Sequence, residues 1–465
     1  MKRLPLLALL FAASAVAIMS ASAPQTPQQS IAVTLIGKPG RPPQIAVPPF
    51  VVLTPDQSTQ DASKTVTDVL SADLRFEREF DVMPSTAFAG IPSAQKIEDL
   101  PFDAWTQRGA EYVALGSVKA AANGRFDVEL RVVSVKDRRQ AYGAGYSAAA
   151  ASVRGLAHRF SDEVHKNLRG VTGIAQTKIA FSSTRDGERA AKTIEDRNVR
   201  EIYIMDYDGE NQRRITVDHY LNISPNWCPD SQCVAYNSYQ PTSAKDTTRF
   251  PDIKIQNIYG QIGQQRPAHG TDQIQNYSPA ISPDGTKVAF ASTRNGEAQD
   301  IYVVNRDGSG QVRLTNNKAI DGSPAWSPSG NLIAFTSDRA GSLQLFVMNP
   351  DGSGVRKVEN QCSHCDRPTF APGESGLLLA YSTQTSPAGH DIEIFDFSSN
   401  SARRLTQGEA TNESPSFAPN GRHVVFFTTR WGKNQLAVID IDGKNIRQLT
   451  KLGANTFPAW SGLPK

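Results

Sequence analysis

Several things are scarce in these 465 residues, and each scarcity narrows the reading. Charge of one sign is scarce: net charge is only +3, without a long Lys/Arg run. The chain therefore lacks the basic footprint of a nucleic-acid binder. Beyond the first 23 residues no stretch of about 18 apolar residues occurs, so the mature chain is expected to be soluble and not membrane-inserted. Catalytic signatures are missing as well. There is no Gly-x-Ser-x-Gly elbow, no His-Glu-x-x-His, no P-loop and no Gly-x-Gly-x-x-Gly fingerprint. His158 and His165 stand seven apart on one helical stretch with no further ligand suggested, and read as solvated or packing residues. No enzyme, cofactor or metal site is expected.

Cysteine is scarce too. The four present fall in two short groups, Cys228 and Cys233 in "CPDSQC" and Cys362 and Cys365 in "CSHC". Four cysteines allow three connectivities. Local pairing is the preferred one, with little loop entropy to gain from such short loops. A redox role for "CSHC" would need a helix N-terminus, and a zinc site would need a fourth ligand. The turns "DYDG" (206–209) and "DIDG" (440–443) begin like calcium loops but lack the later ligands, and read as hairpin turns.

What is present begins with "MKRLPLLALLFAASAVAIMSASA", residues 1–23, in the basic, apolar, small-residue order of a secretory signal peptide. A retained membrane anchor is the alternative. Residues 24–44 follow as a strap rich in Pro, Gln and Gly around "SIAVTLIG". Pro24 to Gly37 carries no charge, and Ile31, Val33 and Leu35 alternate along it. Such a run suits strand addition to a partner, or docking on its own domain. Residues 45–172 read as a small α/β domain. A helix is expected over "SKTVTDVLSADLRFEREF" with Ser63 as its cap. Three strands follow in 111–149, the first two turning at Asn123-Gly124, and then a helix with Val153, Leu156, Ala157, Phe160, Val164 and Leu168 on one stripe.

From about residue 173 onward one sentence repeats. Pro225, Pro279, Pro324, Pro368, Pro415 and Pro458 each open an apolar phrase, recurring every 43 to 54 residues. Triplets such as Val288-Ala-Phe290, then Ile301-Tyr-Val303, then Leu314-Thr315 follow. Short β-branched and aromatic phrases between Gly, Pro, Asn and Asp turns predict the four-stranded blades of a β-propeller. The first copy, at Lys178, lacks its opening phrase, and the chain ends on a surplus one, "FPAWS". Six blades follow, the first assembled from both ends of residues 173–465, so that the last strand closes the ring and removes two sheet edges. The second copy is interrupted by "QPTSAKDTTRFPDIKIQ" and lacks the Leu-Thr ending.

First strands line a propeller's channel, so the residues just before each Pro are expected at its mouth. They are Asn222, Asn276, Tyr277, Asp321, Gly322, Asp366, Arg367, Asn412, Glu413, Asn455 and Thr456. Polar, mixed-charge residues suit a protein or peptide partner. A glycan or small ligand in the channel is the rival reading, and the placement of the Pro-x-Trp indoles decides it.

Together "GRPPQIAVPPF", "SADLRFEREFDVM", "GVTGIAQTKIAF" and the terminal "FPAWS" resemble the TolB family, periplasmic components of the Tol-Pal cell-envelope system. The resemblance covers nearly the whole mature chain. It implies a non-catalytic adaptor that binds the lipoprotein Pal at the channel mouth and TolA through the N-terminal strap. It also implies a role in outer-membrane integrity and in envelope constriction during division.

Overall fold

The computed structural model describes residues 41–464 except 187–198, 242–249, 260–264, 269–273, 297, 361, 363, 374–376, 388 and 409. The leader and the strap residues Ile31, Val33 and Leu35 lie outside the described residues.

The α/β domain is built on a mixed sheet. Strands β1 (Gln44–Ala46) and β2 (Val51–Val52) precede helix α1 (Gln57–Glu77), followed by β3 (Asp81–Val82), α2 (Phe102–Gln107), β4 (Tyr112–Ala120), β5 (Arg125–Ser134), β6 (Arg139–Ala149) and α3 (Val153–Val164). β1 runs parallel to β3 and β4, β2 is parallel to β4, and β4, β5 and β6 are antiparallel. Alternation along the strands supplies two cores. Ile45, Val118, Val128 and Leu130 face α1 and α3 through Val66, Leu70, Leu74 and Phe160. Ala46, Val113, Leu115 and Val133 meet Trp105 of α2 on the other side.

Helix α1 starts six residues before Ser63. Its cap is Asp56, whose carboxylate accepts the Thr59 N–H at 2.9 Å, whereas buried Ser63 donates its hydroxyl to the Phe50 carbonyl at 2.7 Å. At the first hairpin Asn123 and Gly124 both take positive φ, 58° and 65°, which Asn-Gly tolerates best.

The propeller has six blades. Blade 1 joins Asn455–Trp460 to Lys178–Ser183, with Asn455 opposite Ser183 and Trp460 opposite Ile179. Blades 3 to 6 have four strands each. Blade 2 has three, and among the described residues its fourth is reduced to a bridge between Ile255 and Gln265. First strands follow one another in a closed ring. A bond crosses every seam: Ser182 Oγ to the Asn222 carbonyl (2.7 Å), Asn237 Nδ2 to Asn276 (2.7 Å), Trp326 Nε1 to Ala280 (3.1 Å), Ser323 Oγ to Asp366 (2.7 Å), Ser414 N to Ser382 Oγ (2.9 Å) and Trp460 N to Ser416 Oγ (2.9 Å). The structure pairs Cys228 with Cys233 and Cys362 with Cys365, Cα atoms 5.2 and 6.1 Å apart.

The α/β domain docks on the strand-one-to-two and strand-three-to-four turns of blades 1 and 6, through buried charge. Arg422 reaches Glu77 at 2.7 Å and also Glu79, and Arg169 adds a contact to Glu79 at 3.2 Å. Arg78 pairs with Asp440 at 2.6 Å, and the Arg447 guanidinium lies 3.6 Å from the Phe76 ring centroid. Asp73 accepts from the Tyr207 hydroxyl at 2.7 Å and holds the His158 Nδ1 at 2.8 Å, with Asp206 3.6 Å from the other ring nitrogen. Burial works against a charged His158, but Asp206 and Asp73 outweigh it and push the imidazole up to about 9. His165 and His423 go the other way. Burial dominates and holds both down at about 4. Glu77, fully buried, is pushed up to about 7 despite Arg422.

Candidate functional site

The docking surface occupies the end at which first strands finish. Their beginnings, on the opposite face, frame the channel mouth. At each of the six, the residue before proline has positive φ: Ser224 (54°), Ser278 (50°), Ser323 (47°), Arg367 (56°), Ser414 (55°) and Phe457 (53°). Non-glycine residues rarely adopt this conformation, at a cost of order 1–3 kcal/mol each. Proline explains the break. It cannot donate to the ladder, and in every blade the register against the second strand slips at this dipeptide.

Side chains from these dipeptides and their neighbours line a cavity of about 220 Å³ on the propeller axis. Four positions are serine. The other two meet across the axis: the Arg367 guanidinium lies 4.5 Å from the Phe457 centroid, and its Nη1 donates to Ser224 Oγ of the opposite blade at 2.9 Å. Arg367 thereby bolts blade 5 to blade 2. Asp366 beside it accepts from Ser323 Oγ and from the Arg367 N–H, both at 2.7 Å, and stands 3.7 Å from Arg367 Nε. Further round the rim, His390 lies 3.8 Å from Glu413, whose carboxyl burial pushes up. Tyr239 stands near Tyr277 and Arg367, and burial lifts its phenol to about 12.

The structure divides the residues expected at the mouth. Tyr277, Gly322, Asp366, Arg367 and Glu413 are half-buried around the rim. Asn222, Asn276, Asp321, Asn412 and Asn455 are at most 1% exposed, so the expectation of a contact surface is corrected for these five. The four asparagines clamp one blade to the next. Asn222, Asn276, Asn412 and Asn455 donate to Glu201, Asp252, Asp391 and Gln435, at the head of the preceding blade's third strand, at 3.0–3.3 Å. Asp321 instead accepts with both carboxylate oxygens from Nη2 of Arg339, on its own blade, at 3.0 and 2.9 Å. The Leu-Thr phrase completes the clamp. Thr406 donates to Asp391 at 2.8 Å and accepts the Ile392 N–H at 2.9 Å, and Thr450 does the same with Gln435 and Leu436. Thr456 is also buried, accepting from Arg200 at 2.9 Å.

Sequence reasoning missed Ser224, Phe457, Tyr239 and Arg200 at this end. The signal was available: of the six phrase-opening prolines four follow Ser, and the other two follow Arg367 and Phe457. Missed as well were Asp206 and Asp440, sockets for the α/β domain, where blades 3 and 4 have Asn305 and Asn349 at the same turn position.

The indoles bear on the glycan reading. The Trp227 and Trp326 N–H groups donate to the carbonyls of Ala459 and Ala280 on adjoining blades, and Trp460 donates to Thr177 Oγ1. Trp227 and Trp460 are buried, and only Trp326 borders the cavity. The cavity also falls below the ~300–1,000 Å³ usual for small-molecule sites.

Among the described residues no helix is long and apolar enough to cross a membrane. Family models match the chain in two parts, the TolB amino-terminal domain over residues 31–141 and the TolB beta propeller domain over residues 165–464. A Tol-Pal system protein TolB from Bordetella avium is 30% identical over 85% of this chain and 84% of its own length. One from Desulfosudis oleivorans is 31% identical over 59% of this chain, which spans 57% of that protein. Among solved structures, TolB from Acinetobacter baumannii shares the fold with a TM-score of 0.74 at 24% identity, over 92% of this chain and 98% of that one. With a closed six-bladed ring carried behind this α/β domain, the chain belongs to the TolB family of the Tol-Pal system.

Proposed function

We propose that this chain is a non-catalytic periplasmic adaptor, exported by its first 23 residues. It binds a Pal-like peptidoglycan-associated lipoprotein at the channel mouth and a TolA-like inner-membrane protein through residues 24–44. In this way it supports outer-membrane integrity and constriction during division. The observation that carries the reading is the rim of Tyr277, Asp366, Arg367 and Glu413. These are half-buried, chemically mixed side chains on the face away from the α/β domain, set on rigid strand beginnings. A shallow rim over a small cavity favours a protein surface over a diffusible ligand.

Calorimetry with the soluble domain of the same organism's Pal-like protein tests this. Binding to the mature chain is expected, with an affinity that changes when residues 24–37 are removed. Binding indifferent to the deletion would leave the mouth site and remove the strap's part, and no binding in either form would contradict the reading.

A further inference from the structure

We propose that the channel is a receptor for one carboxylate, read by Arg367, and that the incoming carboxylate takes the place of Ser224 on the guanidinium. The inference rests on the adaptor reading and names the chemistry by which the partner enters the channel.

Arg367 is less engaged than Arg339, which donates to both carboxylate oxygens of Asp321 and to the Ser337 hydroxyl. A guanidinium carries five N–H donors. Of those on Arg367, one makes a hydrogen bond with a described residue, the 2.9 Å bond to Ser224. Its nearest carboxylate does not fork onto it: Asp366 Oδ1 accepts from Ser323 and from the backbone N–H of Arg367 itself, and Oδ2 stands 3.7 Å from Nε. The Phe457 ring under the guanidinium fixes its plane and leaves an edge of donors unused. A flat cation with a free edge is the geometry that receives a carboxylate in two parallel bonds.

The surroundings agree. Arg200 stands behind Thr456, the residue before Phe457, and has no carboxylate within ion-pair distance among the described residues. Glu413 and Asp366 face the same rim, one beside His390 and one held by its hydroxyl and N–H partners. Ser278 and Ser414 line the cavity and add neutral hydroxyls around a carboxylate. A volume of about 220 Å³ admits a side chain or chain end and excludes a folded element. Both sources, an Asp or Glu side chain and a C-terminal carboxylate, present the same group.

Arginine-labelled mature protein would be titrated with N-acetyl-glutamate α-amide, with N-acetyl-glycine, and with N-acetyl-glutamine amide as the uncharged control. The readout is the Arg367 Nε–Hε resonance, assigned by its loss in Arg367→Lys. Movement with a carboxylate and not with the control is expected, and the stronger of the two carboxylates names the source. Ser224→Ala, which leaves Arg367 in place and removes its competitor, should tighten the titration by about threefold. No movement up to about 50 mM, or equal movement with the control, overturns the proposal. With the Pal-like domain, Arg367→Gln should weaken binding by about tenfold or more. Equal binding to that variant and to the wild type would overturn the carboxylate site and leave the adaptor reading standing. A domain that binds neither would overturn the adaptor reading, and the small carboxylates would still decide the site.

Discussion

Asn412 and Thr406 show how a polar residue can be read wrongly from its chemistry alone. Both are polar, yet both are buried with their donors used: Asn412 reaches Asp391 across the blade seam, and Thr406 meets the same carboxylate from within the blade. What makes them legible afterwards is their recurrence at one place in most repeats, with Asp391 or its counterpart at the head of the third strand. Thr406→Val should leave the Ile392 N–H without a partner and the Asp391 carboxylate one donor short, at a cost of about 1–3 kcal/mol, read by urea unfolding. An unchanged midpoint would mean that the clamp is decorative. Arg422 is the more demanding residue. Truncation to Met strips Glu77 of its arginine and leaves Glu79 with Arg169 alone, and should destabilise docking by about 3–5 kcal/mol. The sequence gives no hint of this pair, since its partners lie 345 and 343 positions apart.

At the scale of elements, the terminal strand and the α1–α3 pair carry separate predictions. Asn455–Trp460 is expected from the repeat pattern to close blade 1, and it does so opposite Lys178–Ser183. Deleting residues 454–465 should expose the edge of Lys178–Ser183 together with the Ile179 and Phe181 core, so the truncated chain is expected to aggregate or melt far below the intact one. A normal melt would refute the clasp. The helices present a pH dependence. His158 of α3, held at about 9 by Asp206 and Asp73, is charged when folded and mostly neutral when unfolded between its ordinary value of 6.5 and 9. Its contribution is therefore fully present below pH 6.5 and disappears as pH rises through about 9. Comparing urea stability at pH 6.5 and 9.5, the wild type should lose on the order of 2–3 kcal/mol more than His158→Gln. Parallel curves would refute the assignment. The spacing of Val153, Leu156 and Phe160 foretold the buried stripe. It was silent about His158 between them, because a docked domain buries a second face of the helix.

For the whole molecule, repetition made the architecture readable. Six copies of one phrase leave little freedom for any other fold, and a missing opening phrase paired with a surplus one dictates closure. The mouth was readable only to the level of the strand. Proline was found at the right place, but the positive φ before it turns one residue of each strand toward the axis and buries the residue two positions earlier. That rotation cannot be counted from polarity. The α/β domain sits at one end of the ring, the rim of Tyr277, Asp366, Arg367 and Glu413 at the other, and the account assigns them separate tasks. Hydrogen exchange of the mature protein, with and without the Pal-like domain, tests this most directly. Protection is predicted in residues 275–280, 364–368 and 411–414, with the α1 and α3 amides unchanged. Protection confined to the α/β domain or to the turns at 206–210 and 440–444, with the rim exchanging as before, would contradict it.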